Sequence, residues 1–127
     1  MGYVHAEIVL RNPRKPDLRP IQAVAMADTG SLMLCIPSHI ALQLELQQSS
    51  MREVTTADGG ANHTVPYVGP VEVIFENRQC FVGALVLGDE VLLGAVPMED
   101  MDLVISPSRR TITVNPQSPN LPHALVK

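Results

Sequence analysis

The chain has no tryptophan, and only two tyrosines and two phenylalanines among its 127 residues. That scarcity argues against an aromatic stacking platform for single-stranded nucleic acid. It also means that any core must be aliphatic, built from Val, Leu, Ile, Ala and Met. Cations are scarce too: nine Lys and Arg stand against thirteen Asp and Glu, a formal net charge of −4. A nucleic-acid surface needs clustered positive charge. The most basic spots, Arg11 to Arg19 and Arg109-Arg110, are short and set among prolines, and read as solvated turns. No apolar run approaches the roughly 20 residues of a membrane span. The start, Met1-Gly2-Tyr3-Val4-His5, lacks the basic-then-apolar pattern of a signal peptide. It also lacks a myristoylation signal, since Ala6 stands where Ser or Thr is wanted. Two cysteines, Cys35 and Cys80, lie inside apolar runs and read as reduced, buried thiols. The expectation is a soluble cytoplasmic protein with no nucleic-acid or membrane partner.

What is present is aliphatic and β-patterned. Hydrophobic residues make up 46% of the chain, and its length suits one domain burying roughly two thirds of its unfolded surface. Tyr3 to Leu10 alternates as a first strand, and Ile21 to Ala27 reads as a second, apolar and buried throughout. Asn12-Pro13-Arg14-Lys15-Pro16 is the turn between them. Leu32 to Ile36 reads as a short buried strand. Pro37 then opens a helix over Ser38 to Gln47, with Ile40, Ala41 and Leu44 on one face, and Gln47 to Ser50 is a polar exit. Asp58-Gly59-Gly60 between Val54-Thr55-Thr56-Ala57 and His63 to Val68 is a hairpin signal. Pro66 marks that hairpin as an edge. Val71 to Phe75 and Cys80 to Leu87 form a second hairpin, and Val91-Leu92-Leu93-Gly94 a short apolar strand. A brief helix over Val96 to Met101 and a closing hairpin, Leu103 to Ile105 with Thr111 to Val114, follow. The domain is expected to span residues 1–115, with a proline-rich tail over 116–127. Strand, glycine turn and helix recur at Ile21 to Gln47 and Cys80 to Met101, which hints at internal two-fold organisation.

The chemistry concentrates at Ala25-Met26-Ala27-Asp28-Thr29-Gly30-Ser31, where an apolar strand runs into Asp-Thr-Gly-Ser. A carboxylate at the end of a buried strand needs a partner or a shifted titration. Acid–base work by paired carboxylates requires two, and no second copy of the motif exists. The pattern is that of half an active site, completed by a second identical chain.

Asp28-Thr29-Gly30-Ser31, a following short helix, a Gly-tipped hairpin and Leu92-Leu93-Gly94 together resemble the retropepsin-like aspartic proteases, in particular their small bacterial single-domain members. The resemblance covers Tyr3 to Asn115. It implies an all-β, closed β-barrel fold with one or two short helices, and an obligate homodimer with one active site on its two-fold axis. It further implies an aspartic endopeptidase acting on peptide or protein substrates without cofactor or metal. Asp28 would be catalytic, and Thr29 would bond across the axis to its twin. Gly30 would let the backbone turn close to the acid pair, and Ser31 would donate to the carboxylate. The flap would carry Ala57, Asp58, Gly59 and Gly60 at its tip, and Leu92, Leu93 and Gly94 would form the supporting second loop. The tail after Asn115 is longer than in viral enzymes of this type.

Other readings of the same residues are weaker. Ser31 with His39 lacks a nucleophile elbow, and His5, Glu7 and His63 lack metal-site spacing. Asp58 reads as a turn former. A non-catalytic dimer that binds peptides or serves as a scaffold, and a monomeric barrel with a structural Asp turn, remain as alternatives.

Overall fold

The computed structural model describes residues 3–56 and 60–126. The expected tip residues Ala57, Asp58 and Gly59 lie outside the described residues. The first strand, β1 (Val4–Arg11), buries every second side chain, Val4, Ala6, Ile8 and Leu10. It pairs antiparallel with β2 (Ile21–Ala27). β2 also alternates: Ala25 is buried and Val24 is 60% exposed, so the strand is not the continuously buried one its composition implied. A loop leads to β3 (Leu34–Ile36), wholly buried. Helix α1 (Ser38–Gln43) follows, capped at Leu44. It is shorter than expected because Glu45 turns into the left-handed region, φ 51°, and the chain leaves the helix there.

The supposed polar exit is instead the start of β4 (Gln48–Thr55), which pairs with β5 (Asn62–Phe75). β4 is polar because nearly all its side chains are exposed, so pairing with β5 holds it in place. β5 is one 14-residue strand rather than two, carried past Gly69-Pro70 by an irregularity between Val68 and Val71. β6 (Arg78–Val86), β7 (Val91–Leu93), α2 (Ala95–Asp100), β8 (Leu103–Ser106) and β9 (Thr111–Val114) complete the order. Pairing runs β1-β2-β7-β3-β6-β5-β4, and β1 also pairs with β5. That last contact closes six strands into a barrel, with β4 outside the ring beyond β5. The all-β, closed-barrel expectation is met.

The ring has a two-fold register. β2 runs parallel to β7 with Ala27 opposite Leu93, and β3 runs parallel to β6 with Ile36 opposite Val86. Exchanging β1 with β5, β2 with β6 and β3 with β7 maps one set of pairs onto the other. Leu10 opposite Val73, and Cys35 opposite Leu92, map onto themselves. The helices obey the same exchange. Both are six residues long, and each is followed by a non-glycine left-handed residue, Glu45 or Asp102, two positions beyond its last residue. The internal symmetry that the sequence barely hinted at is therefore a property of the backbone.

The aliphatic core fills the barrel, with Ile8, Leu10, Leu34, Ile36, Val71, Val73, Leu93 and Met101 almost entirely enclosed. Cys35 and Cys80 are both free and buried. Burial pushes the Cys80 thiol up to about 12, with the Asp100 charge adding to the rise.

Beyond β9 the irregular segment is tied to the barrel by Asp102. Its carboxylate accepts from Ser118 Oγ at 2.6 Å, from the His123 N–H at 2.9 Å and from Asn115 Nδ2 at 3.1 Å. The buried Arg78 guanidinium donates to the Ser118 carbonyl and lies 3.9 Å from the same carboxylate. These hydrogen bonds, Ser118 foremost, hold Asp102 at about 2, below its ordinary 3.8. A depressed folded value means the stabilisation is complete above about pH 4 and fades as the pH falls toward 2. Thermal melts of wild type and Asp102→Asn should therefore differ at neutral pH, wild type being the more stable, and converge between pH 4 and pH 2. A gap that persists at pH 2 would refute this role for the carboxylate.

Candidate active site

The Asp28 loop leaves the barrel at the end of β2 and is held to it by main-chain bonds. The Asp28 N–H donates to the Leu93 carbonyl at 3.0 Å, extending the β2–β7 pairing by one residue. The Ser31 N–H donates to the Asp28 carbonyl at 3.1 Å and closes the turn. The Ala95 and Val96 N–H groups donate to the Ser31 and Leu32 carbonyls, both at 2.8 Å. The first turn of α2 thus satisfies its free donors on this loop.

Gly94 makes that approach possible. A Cβ there would collide with the Met33 carbonyl oxygen and lie 2.7 Å from Leu32 C and Met33 N. Leu92, Leu93 and Gly94 accordingly sit directly against the Asp28 loop, where the sequence reading put a supporting second loop. Within the loop, the Gly30 N–H donates to Asp28 Oδ1 at 2.9 Å. This bond fixes one carboxylate oxygen.

Asp28, Thr29 and Gly30 are exposed in the single chain, and Leu32 beside them is 65% exposed. The expectation of a buried carboxylate needs correction. The strand feeding the loop is part of the barrel wall, but the loop itself projects from it. The Thr29 side chain makes no hydrogen bond among the described residues. Among the described residues the Ser31 hydroxyl makes no hydrogen bond to Asp28, and it lies close enough to Cys35 to act on that thiol. Burial raises the Cys35 thiol, the Asp28 charge raises it further, and Ser31 opposes both.

A second apolar cluster lies beside this loop, separate from the barrel core. Cys35, Val65 and Leu85 are buried in it, and Met33, Val54, Tyr67, Leu87 and Leu92 pack around them. It joins the Asp28 loop to the inner face of the β4–β5 hairpin, where the flap was expected. On that hairpin Gly60 takes φ +70° with open space around it, the conformation a turn glycine supplies. Sequence reading missed Met33, Arg52 and Tyr67 here. The alternation of Arg52 with Val54, and of Val65 with Tyr67, was the available signal.

The discarded constellations stay apart. His5 and Glu7 project from β1, whereas His63 lies at the opposite end of β5 from the segment that pairs with β1. Ser31 and His39 share no hydrogen bond among the described residues. Internal symmetry adds one more fact. The Leu87 N–H donates to the Ile36 carbonyl at 3.0 Å, the counterpart of Asp28 donating to Leu93. The position equivalent to Asp28 within the chain is thus a leucine.

No protein-family profile matches the chain, and no curated protein does. Solved structures do. The protease of EIAV, complexed with the inhibitor HBY-793, superposes with TM-score 0.60 at 13% identity, over 83% of this chain and 93% of that one. The retroviral protease-like domain of Ddi1 from Leishmania major gives 0.59 at 9% identity, over 91% and 90%. The fold is retropepsin-like. At such identities the likeness is one of backbone, and the retropepsin-like barrel brings the Asp28 loop, Gly94 and the β4–β5 hairpin to one side.

The clamp on the loop is testable. Gly94→Ala forces main chain apart where no flexible side chain can yield, and should cost about 1–3 kcal/mol, measured by urea unfolding. A cost below about 0.5 kcal/mol, within the range of an ordinary surface substitution, would show that the contact is not tight.

Proposed function

We propose that the chain is one half of an aspartic endopeptidase, and that two copies bring their Asp28 carboxylates together across a two-fold axis. The observation that carries this reading is the Asp28 loop itself. A fixed carboxylate stands at the surface of a retropepsin-like barrel, beside an unused Thr29 hydroxyl and the exposed apolar side chains Leu32 and Val96. The Leu87 position supports it further, since the chain's own symmetry supplies no second acid. A twin loop would cover the apolar pair and bond through Thr29. Obligate interfaces of this kind bury upward of roughly 2,000 Å² in total.

Two carboxylates about 3 Å apart cannot both ionise, so the pair holds one proton. The ionised member takes a proton from a bound water as that water attacks the peptide carbonyl. The protonated member donates to the carbonyl oxygen. Collapse of the tetrahedral intermediate reverses the proton movements and releases the amine. No covalent intermediate forms. The substrate lies as an extended strand between the acid pair and the β4–β5 hairpin, which acts as the flap. We place the peptidase domain in residues 1–115, in the cytoplasm, with residues 116–127 as its anchored tail.

Asp28→Asn should lower kcat/KM for peptide hydrolysis by about two to four orders of magnitude, while the variant still dimerises. Full activity in that variant would sink the enzyme reading. A dimer without turnover at any pH, in the wild type, would favour the peptide-binding or scaffold alternative. Thr29→Val should raise the dimer dissociation constant by about tenfold, the worth of roughly one hydrogen bond. Sedimentation velocity over a dilution series measures it, and an unchanged constant would count against the latch.

A further inference from the structure

One exposed cation stands on the hairpin face that carries the second apolar cluster. Arg52 lies opposite Val65 in the β4–β5 register, so it shares the inner face of the hairpin with the buried apolar cluster. Its guanidinium carbon sits 4.1 Å from the centre of the Tyr67 ring. Its Nη1 lies 3.9 Å from Met33 Sδ, at the end of the Asp28 loop. Tyr67 is itself immobilised, because its hydroxyl fills the space a Cβ on Gly83 would take. Stacking on an aromatic face satisfies the plane of a guanidinium but leaves its edge donors free. Among the described residues no carboxylate lies within 4 Å of Arg52, while Arg11, Lys15 and Arg78 each have one.

We propose that Arg52 selects substrates carrying an acidic side chain, at a position outside the two residues flanking the cleaved bond. The inner residues of a bound strand would lie toward the hairpin turn, and Arg52 stands two residues further from that turn than Val54, between the hairpin and Met33 of the loop. This inference rests on the peptidase reading above. Two-fold symmetry would repeat the cation, so the preference should occur at matching positions on both sides of the cleaved bond.

The test scans Glu, Gln and Lys through the outer positions of a cleavable peptide and measures kcat/KM. At the selected position Glu should exceed Gln by about five-fold, the upper range of an exposed ion pair, with Lys below both. The Glu-to-Gln ratio should fall toward one in 0.5 M salt and in Arg52→Met, whose unbranched stem keeps a cover on Tyr67. In Arg52→Glu the order should invert toward Lys. Equal rates for all three side chains at every position, or a Glu preference that survives Arg52→Met, would overturn the assignment while leaving the peptidase reading intact. If no peptide is cleaved, fluorescence anisotropy of the same labelled peptides decides. A Glu preference in binding that Arg52→Met abolishes supports Arg52 as the selector, and binding without preference overturns it.

Discussion

The geometry of the candidate site depends on main-chain contact between two loops that are far apart in sequence. The Asp28 turn is pinned at its start by the Leu93 carbonyl and at its end by the Ala95 and Val96 N–H groups. None of these bonds uses a side chain of the loop. Asp28, Thr29 and Leu32 are thereby released from structural duty and face outward, while the backbone beneath them is fixed. Gly94 is the one side-chain identity that this contact demands, because main chain meets main chain there. The position of the Asp28 carboxylate is thus set without using its own hydrogen-bonding capacity beyond the single Gly30 N–H.

The two-fold register explains why these particular loops meet. Parallel pairing of β2 with β7 carries the end of one half-unit onto the start of the other half's helix, and the β3–β6 pair repeats the connection. Both connections end in a six-residue helix and a left-handed exit, at Glu45 and at Asp102. Having the same backbone twice did not oblige the side chains to match. Asp102 became the anchor of the terminal segment, whereas Glu45 makes an exposed pair with Lys15 worth little. Asp28 and Leu87 diverged in the same way.

Much of this was legible in the chain. Strands with one face in the core declared themselves by alternation, and β1, β6 and β9 fall close to where the pattern put them. The Asp28 turn and its Leu92-Leu93-Gly94 neighbour were also readable, because glycine at close backbone contacts has few substitutes. Three things were not. The first six residues of β4, Gln48 to Glu53, are all exposed, so its start looked like a polar linker. The chain leaves helix α1 through Glu45 in the left-handed region, a place where glycine would have announced the stop. The exposure of the Asp28 loop depends on which way the chain turns after Ala27, and local composition is the same for either direction. The Arg52–Tyr67–Met33 grouping brings three segments together, so only the tertiary fold could reveal it.

The proposed chemistry places a demand on the rest of the molecule. A carboxylate pair that shares one proton works where acid is available, so the fold must keep its own acid-sensitive contacts below that range. The contact most exposed to this demand is the one at Asp102, which joins Ser118, His123, Asn115 and the buried Arg78. Protonating it would remove the acceptor for two of those donors and leave a guanidinium inside the protein without a counter-charge. Three hydrogen bonds to the ionised form hold its titration at about 2, so the anchor stays charged through mild acid. The carboxylate that must change protonation during the proposed reaction makes a single hydrogen bond within the chain, and the one that must not change is surrounded by donors. Under the proposed chemistry the two acids would differ in role as they differ in the number of N–H and O–H groups aimed at them.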